Sequence, residues 1–543
     1  MPNCCLKLYT KKESKMNKLN VVCGALIIDG KVMIAQRNYG SSKGFFEFPG
    51  GKVEKSETKE EALIREWKEE CDIDIHNVQY LASSVDYQNG YEIHLTCFTC
   101  TSNEKPTKLS VHSEYIWTTP DHIYDYNFFK SDKMLVEALK GGMAMFNKTN
   151  ETKVLRDPVH GYIHVKYQVI WDCINAKEFQ RLHRIHQLGG DFQIYHTAEH
   201  SRFSHSLGVY EITRRMCEEV DSIAATLSEY EKIQVLCAAL LHDLGHGPFS
   251  HFFETLHKKH HEQMTCDLIL DPETEIHKAL IKEDEALPQN IMLILTHQHS
   301  KPMMYQMISS QLDADRMDYL LRDAYETGTS YGNFDLERIL RTLRVKNDSL
   351  CVKMSGMHSI EDYIMARYHM YWQVYLHPDA KSYEIMIQQF FKRYAQVRNI
   401  EVFEPLLNGE LSNKDFYLMD EHRMFYGFQQ ALECEDEILK DFANRILNRH
   451  LFEWIEDPSH QQIQEIKNKL VVSGHDLDYY YYEAISHSKA YLPYTENDEN
   501  QIIWMLDSKK ERVSLSSCSQ IVKALLKMKN QTNKRIYFPK EIL

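Results

Sequence analysis

Near residue 150 the chain changes its hydrophobic period, and no single layer of secondary structure satisfies both halves of the pattern. Between about residues 18 and 100 the apolar residues come in short strand-like runs, "VVCGALII" and "KVMIAQRN", with "IDG" between them reading as a hairpin turn. One helix interrupts them, "TKEEALIREWKEE", whose Ala62, Leu63 and Trp67 fall at helical spacing. "YEIHLTCFTCT" is a further strand and "SDKMLVEALK" a closing helix. "GGMAMFNKTNETK" then breaks the period with Gly and Asn and reads as a linker. Beyond it the period is close to 3.6, through "AKEFQRLHRI", "LERILRTLRV" and "DEILKDFANRILNRHLFEWI". The expected division is an extension over 1–17, an α+β domain over 18–141, a linker over 142–153, a mostly α-helical domain over 154–470 and a mixed C-terminal accessory region over 471–543. A chain of 543 residues suits such a multidomain fold.

The formal charge of −15 argues against a broad phosphate-tracking surface. Nucleic acid is therefore not expected as the main substrate, while small anions in a locally basic pocket stay open. Thirteen cysteines, 22 methionines and no export signal read as reduced thiols in a cytoplasmic protein. Apolar runs such as "VLCAALL" fall far short of the roughly 20 residues a membrane span needs, so no membrane is expected.

Two constellations carry chemistry. In the first, Glu66, Glu69 and Glu70 share one helix face, directly after the glycine turn "FPGG". A solvated acidic face is the plain alternative. A turn that delivers backbone groups to carboxylates instead suits magnesium or manganese with a pyrophosphate. The stretch from Gly51 through Glu57, Arg65 and Glu70 to Ile73 resembles the Nudix box. The resemblance implies that Glu66, Glu69, Glu70 and the Gly51 carbonyl hold the metal, with Arg65 and Glu57 bracing the loop. It implies hydrolysis of a nucleoside triphosphate to monophosphate and pyrophosphate, with Glu114 as a further acid and Asp132 contacting the base. One position departs: the late glycine of the box is Asp72, which puts the helix cap in question.

In the second constellation, "HSRFSHSLGV" offers His205, "LHDLGHGPFSH" offers His242 and Asp243, and "SSQLDADRMDYLLRD" offers Asp315. Two imidazoles and two carboxylates suit manganese, iron, magnesium or zinc and leave room for water and phosphate. A core histidine bonded to a carbonyl is the alternative for each alone. The three segments resemble the signatures of the HD phosphohydrolase superfamily. With "DPVHGYI", "FQRLHRIHQLGG" and "ARYHMYWQVYLH" the chain is similar to the SAM- and HD-domain deoxynucleoside triphosphate triphosphohydrolases, without their SAM domain. The resemblance implies His261 as proton donor to the leaving group, oriented by Glu254, with His246 and His251 along the phosphate path. Arg202, Arg367 and Arg316 would meet phosphates; Gln187, Tyr319, Asp323 and Tyr375 would form a pocket that excludes ribose. Asn175 and His183 around Gln180 depart from the activator-reading pattern, which puts guanine activation in doubt. Self-association is expected. The expected function is a two-headed nucleotide hydrolase acting chiefly on dNTPs. The alternatives are an HD phosphodiesterase and a Nudix unit that senses nucleotide without cleaving it.

Overall fold

The computed structural model describes residues 17–28, 31–38, 40, 43–55, 57–88, 91–107, 109–128, 135–136, 138–139, 146–257, 259–407, 411–487, 501–527 and 532–543. They form two compact units. The first comprises residues up to Phe146 with Ser228–Glu231 and Glu283–Leu287, and the second the remainder.

The first unit is a mixed sheet. Strands β1 (Asn17–Ile28), β2 (Lys31–Arg37), β3 (Phe46–Glu47), β5 (His76–Gln88) and β6 (Tyr91–Thr101) run in the order β3-β2-β1-β6-β5; β4 (Gly50–Lys52) pairs with β1 and β7 (His112–Thr118) with β2. β1 and β6 are parallel, from Asn17 opposite Tyr91 to Leu26 opposite Cys100. Alternation along the strands feeds two cores. Val22, Leu26, Met33, Phe98 and Cys100 pack with Ala62, Leu63, Trp67 and Cys71 of helix α1 (Lys59–Cys71). Cys23, Ala25, Val32, Ile34 and Cys97 face Ile123, Leu135, Val136 and Leu139. The Cys97-x-x-Cys100 spacing thus lies within one strand, its thiols on opposite faces of the sheet, and neither pairs.

The expected linker is corrected over its second half. Lys148–Asp157 is strand β8, antiparallel to β9 (Gly161–Tyr167). The helical reading is corrected in two places as well. Leu343–Lys346 leaves its helix to become β10, paired with β11 (Ser349–Lys353), and Phe452–Glu456 is β12. The other strands of these two sheets lie far along the chain: β13 (Tyr482–His487), β14 (Trp504–Leu506), β15 (Arg512–Ser514) and β16 (Thr532–Pro539). The strand orders are β10-β11-β14-β15 and β12-β16-β13. The expected boundary at 470 therefore separates nothing, since the later residues complete sheets begun before it. Among the described residues no helix is long and apolar enough to cross a membrane.

The helices that carry the second constellation are α2 (Arg202–Glu219), α3 (Glu229–Leu241), α4 (His251–His257), α5 (His261–Leu270) and α6 (Ala314–Thr327). α2 is buried nearly all round, from Arg202 through His205 to Cys217, as suits a central helix. Glycine lets its neighbours approach. A Cβ on Gly208 would lie 1.8 Å from Asp318 Oδ1, so α2 and α6 touch through a residue that has no side chain. Gly245 does the same at α5, where a Cβ would lie 2.1 Å from the His261 carbonyl oxygen.

Candidate active site

His205, His242, Asp243 and Asp315 come from α2, the turn after α3, and the first turn of α6, and they converge. His205 Nε2 lies 3.0 Å from Asp315 Oδ1 and 3.7 Å from Asp243 Oδ2, while His242 Nε2 lies 3.3 Å from Asp243 Oδ1 and 3.7 Å from Asp315 Oδ1. Each imidazole is turned by its other nitrogen, the arrangement that aims ring nitrogens at an ion. His242 Nδ1 meets the Ala239 carbonyl at 2.9 Å, leaving Nε2 buried without a hydrogen-bond partner. His205 Nδ1 meets Asp318 Oδ2 at 2.8 Å. Asp318 is held in turn by Arg322 (2.8 and 2.9 Å) and His160 (2.6 Å), and Arg322 reaches Asp157 at 2.8 Å. Burial alone would lower the pKa of His205, but Asp315 and Asp318 overcome it and raise it to about 10. Burial disfavours charge on Asp243, yet His242 and Arg202 hold its carboxyl well below the usual range. Concentrated negative charge, an orphaned imidazole nitrogen and mixed N and O donors fit a divalent cation.

A second set adjoins the first. Ligand atoms of Asp243, His246 and His261 lie within 4.8 Å of one another, as do those of His205, His242 and Asp315. His246 stacks on His261 with centroids 3.9 Å apart. His261 Nδ1 meets Glu254 Oε1 at 2.6 Å, so glutamate reaches the expected partner. His251 opens α4, and its side chain lies outside the described residues.

Next to these four residues, across the Arg202–Asp243 pair, lies a cavity of about 630 Å³ lined by Arg202, Gln187, Tyr319, Asp323 and Tyr375, and by Asp191, Phe249, Ser250 and Tyr371. Arg202 pairs with Asp243 and donates to Ser250 Oγ at 2.9 Å. Asp323 accepts from Tyr375 Oη at 2.8 Å and lies 2.8 Å from His200 Nε2, while Gln187 Oε1 is buried without a partner. Two residues expected at the phosphates are not among the cavity's lining residues. Arg316 does not line the cavity, because its Nε folds back onto the Ser310 carbonyl (2.6 Å) and Asp313 (3.2 Å). Arg367 does not line it either; it donates to Gln311 Oε1 at 2.7 Å.

On α1, Arg65 grips Glu57 bidentately at 2.9 and 3.2 Å and the Lys52 carbonyl at 3.0 Å, bracing the glycine loop as expected. It also donates to Glu66 at 2.9 Å and Glu69 at 3.3 Å. A Cβ on Gly51 would fall 2.3 Å from the Glu66 carboxyl, so that turn and Glu66 are in contact. Glu70 points inward with Oε2 buried and unpartnered; burial first, then Glu66 and Glu47, push its pKa up to about 7. Among the described residues Glu66, Glu69 and Glu70 do not gather into a set within 4.8 Å, although the orphaned Glu70 oxygen fits a cation. Glu114 is exposed on β7 opposite Gln36, and Asp132 lies outside the described residues.

Comparison with known proteins agrees with this geometry. An HD domain model matches residues 202–323, an HD associated region 334–543, and a NUDIX domain 18–139. The uncharacterized protein YwfO of Bacillus subtilis is 41% identical over 412 residues, 73% of this chain and 94% of that protein. The chain belongs to the HD-domain family. The chain is also similar to a Dictyostelium discoideum protein named deoxynucleoside triphosphate triphosphohydrolase SAMHD1 homolog, at 27% identity over 58% of this chain and 62% of that one. A Bacteroides thetaiotaomicron phosphohydrolase structure superposes with TM-score 0.64 at 25% identity, covering 72% of this chain and 100% of that one. Some residues around the HD centre escaped the sequence reading. Asp318 carried a signal, three residues beyond Asp315 on one helix face. Ser250 and Asp191 carried none. In the NUDIX domain the missed pair is Glu47 and His112, 3.2 Å apart behind Glu70.

Proposed function

We propose that the HD domain hydrolyses dNTPs to deoxynucleoside and triphosphate, and that the NUDIX domain hydrolyses a nucleoside triphosphate to monophosphate and pyrophosphate. Nucleotide hydrolysis as such rests on the two domains and their relatives. The observation that carries the finer reading is the meeting of His205, His242, Asp243 and Asp315 next to Arg202, which pairs with Asp243 and lines a cavity of about 630 Å³, a size suited to a nucleotide.

A divalent cation held by His205, His242, Asp243 and Asp315 would acidify water and withdraw charge from phosphate. The chain's own groups supply the rest. Arg202 offers a guanidinium to the phosphates at the cavity wall. His261, fixed through Nδ1 by Glu254, presents Nε2 to hand a proton to the departing 5′-oxygen as the α-phosphorus–oxygen bond breaks. Asp323, already ordered by Tyr375 and His200, accepts from a 3′-hydroxyl, and the Tyr375 ring crowds C2′. A ligand hydroxyl that satisfies the buried Gln187 oxygen gains about 1–3 kcal/mol over one that leaves it unpaired.

For the NUDIX domain a sensing role is favoured by one observation: Arg65 engages both Glu66 and Glu69. The full chain incubated with each dNTP and NTP and with Mn²⁺ or Mg²⁺, its products resolved by chromatography, decides among the readings. Deoxynucleoside with triphosphate is expected from the HD domain, and His242→Ala and Asp243→Ala should lose that product and the HD metal together. Intact dNTPs beside shortened RNA would support a phosphodiesterase. Glu69→Gln with Glu70→Gln should abolish pyrophosphate release alone; a change in triphosphate release instead would make the domain a sensor.

A further inference from the structure

Helix α7 (Glu421–Ala431) begins far along the chain from the HD signatures, yet its first turn is bonded to the segments that build the cavity wall. The Met419 carbonyl accepts from Arg181 Nε (3.2 Å) and Nη2 (2.8 Å), and Arg181 Nη1 reaches the His246 carbonyl at 2.8 Å. Asp420 pairs with Arg184. Glu421, 1% exposed, accepts from the backbone N–H of His186 and of Phe249, both at 3.1 Å, and pairs with the His186 ring. One buried carboxylate therefore ties the loop that carries Gln187 to the turn that carries Ser250.

That turn needs holding. Phe249 (φ 59°) and Ser250 (φ 53°) are consecutive non-glycine residues in the left-handed region, a conformation that a residue with a Cβ adopts only under strain. Their strain keeps Ser250 Oγ within 2.9 and 3.3 Å of the Arg202 guanidinium. Burial opposes charge on His186, yet Glu421 and Glu199 raise its pKa to about 9, so the partner of Glu421 is cationic at neutral pH.

We infer that Glu421 is a positioning residue of the HD site: by clamping the strained Phe249–Ser250 turn against the His186–Gln187 loop, it sets Arg202 where the substrate's phosphates bind. The inference rests on the proposed reading only in taking those phosphates to be a nucleotide's. Glu421 touches neither the four ligands nor the cavity, so its effect runs through Ser250.

Tripolyphosphate binding to the Mn²⁺-loaded full chain, followed by calorimetry, tests this, with Arg202→Ala identifying the signal that belongs to this cavity. Glu421→Gln and Ser250→Ala should each weaken binding by about tenfold, and the double variant should be no weaker than the worse single, as expected when two residues act through one contact. Manganese content should not change. Unaltered binding in Glu421→Gln, or effects that multiply, would overturn the inference. If Glu421→Gln does not fold, Glu421→Asp, which keeps the charge but is one methylene short of reaching both N–H groups, should weaken binding by about threefold; wild-type affinity there overturns it as well. Wild-type protein that does not bind tripolyphosphate also overturns it. Failure of dNTP hydrolysis with these responses intact overturns only the proposed reaction.

Discussion

Asp72 closes α1 in a left-handed conformation, φ 51° and ψ 39°, with its backbone N–H donating to the Lys68 carbonyl. The cap that a glycine would form without strain is thus retained by a residue with a Cβ, partly supported by Lys68 Nζ at 3.6 Å. Asp72→Gly is expected to stabilise the NUDIX domain by about 1 kcal/mol, read as a rise in its thermal midpoint; a drop in stability would show that the Lys68 pair outweighs the strain. This residue also marks how far sequence reaches. The departure at 72 was visible because the motif fixes that position, and so were His205, His242, Asp243 and Asp315, whose order along the chain is part of the HD signature. Glu421 was not, because a carboxylate that caps two loops from a distant helix leaves no local pattern.

Among the elements, the contact between α2 and α6 decides whether the centre forms. Gly208 costs α2 about 1 kcal/mol of helix propensity relative to alanine, yet a methyl there would occupy the place of Asp318 Oδ1 and lie near Arg322 Nη2 at 2.5 Å. Gly208→Ala should therefore lower the stability of the HD unit by on the order of 3 kcal/mol, since it disrupts a buried ion network, and should release the bound metal. Thermal unfolding and metal analysis of the variant check both; retained metal at wild-type stability would mean that the helices part without disturbing Asp318. Elements with a complete local signal were legible. α1 begins with Thr58 as N-cap and Glu61 completing a capping box, and ends at Cys71 as its apolar face does. β10 and β12 were not, because their residues continue a helical period: β10 becomes a strand in a hairpin with β11, which itself pairs with the distant β14, and β12 becomes one only through β16.

For the molecule as a whole, β16 is the centre of a three-stranded sheet, with β12 on one side from Phe452 opposite Pro539 and β13 on the other from Tyr482 opposite Tyr537. Removing residues 532–543 should cost the HD unit its cooperative unfolding transition and leave that of the NUDIX domain. Two intact transitions in calorimetry would contradict the weaving of the C-terminal strands into the unit. The order of synthesis gives the same feature another consequence. A ribosome adding roughly 5–20 residues per second makes the NUDIX sheet early but needs several seconds between Glu456 and Thr532. Through that interval the nascent β12, joined by β13 once it is made, carries an open edge, a window in which chaperone shielding matters more for the HD half than for the NUDIX half.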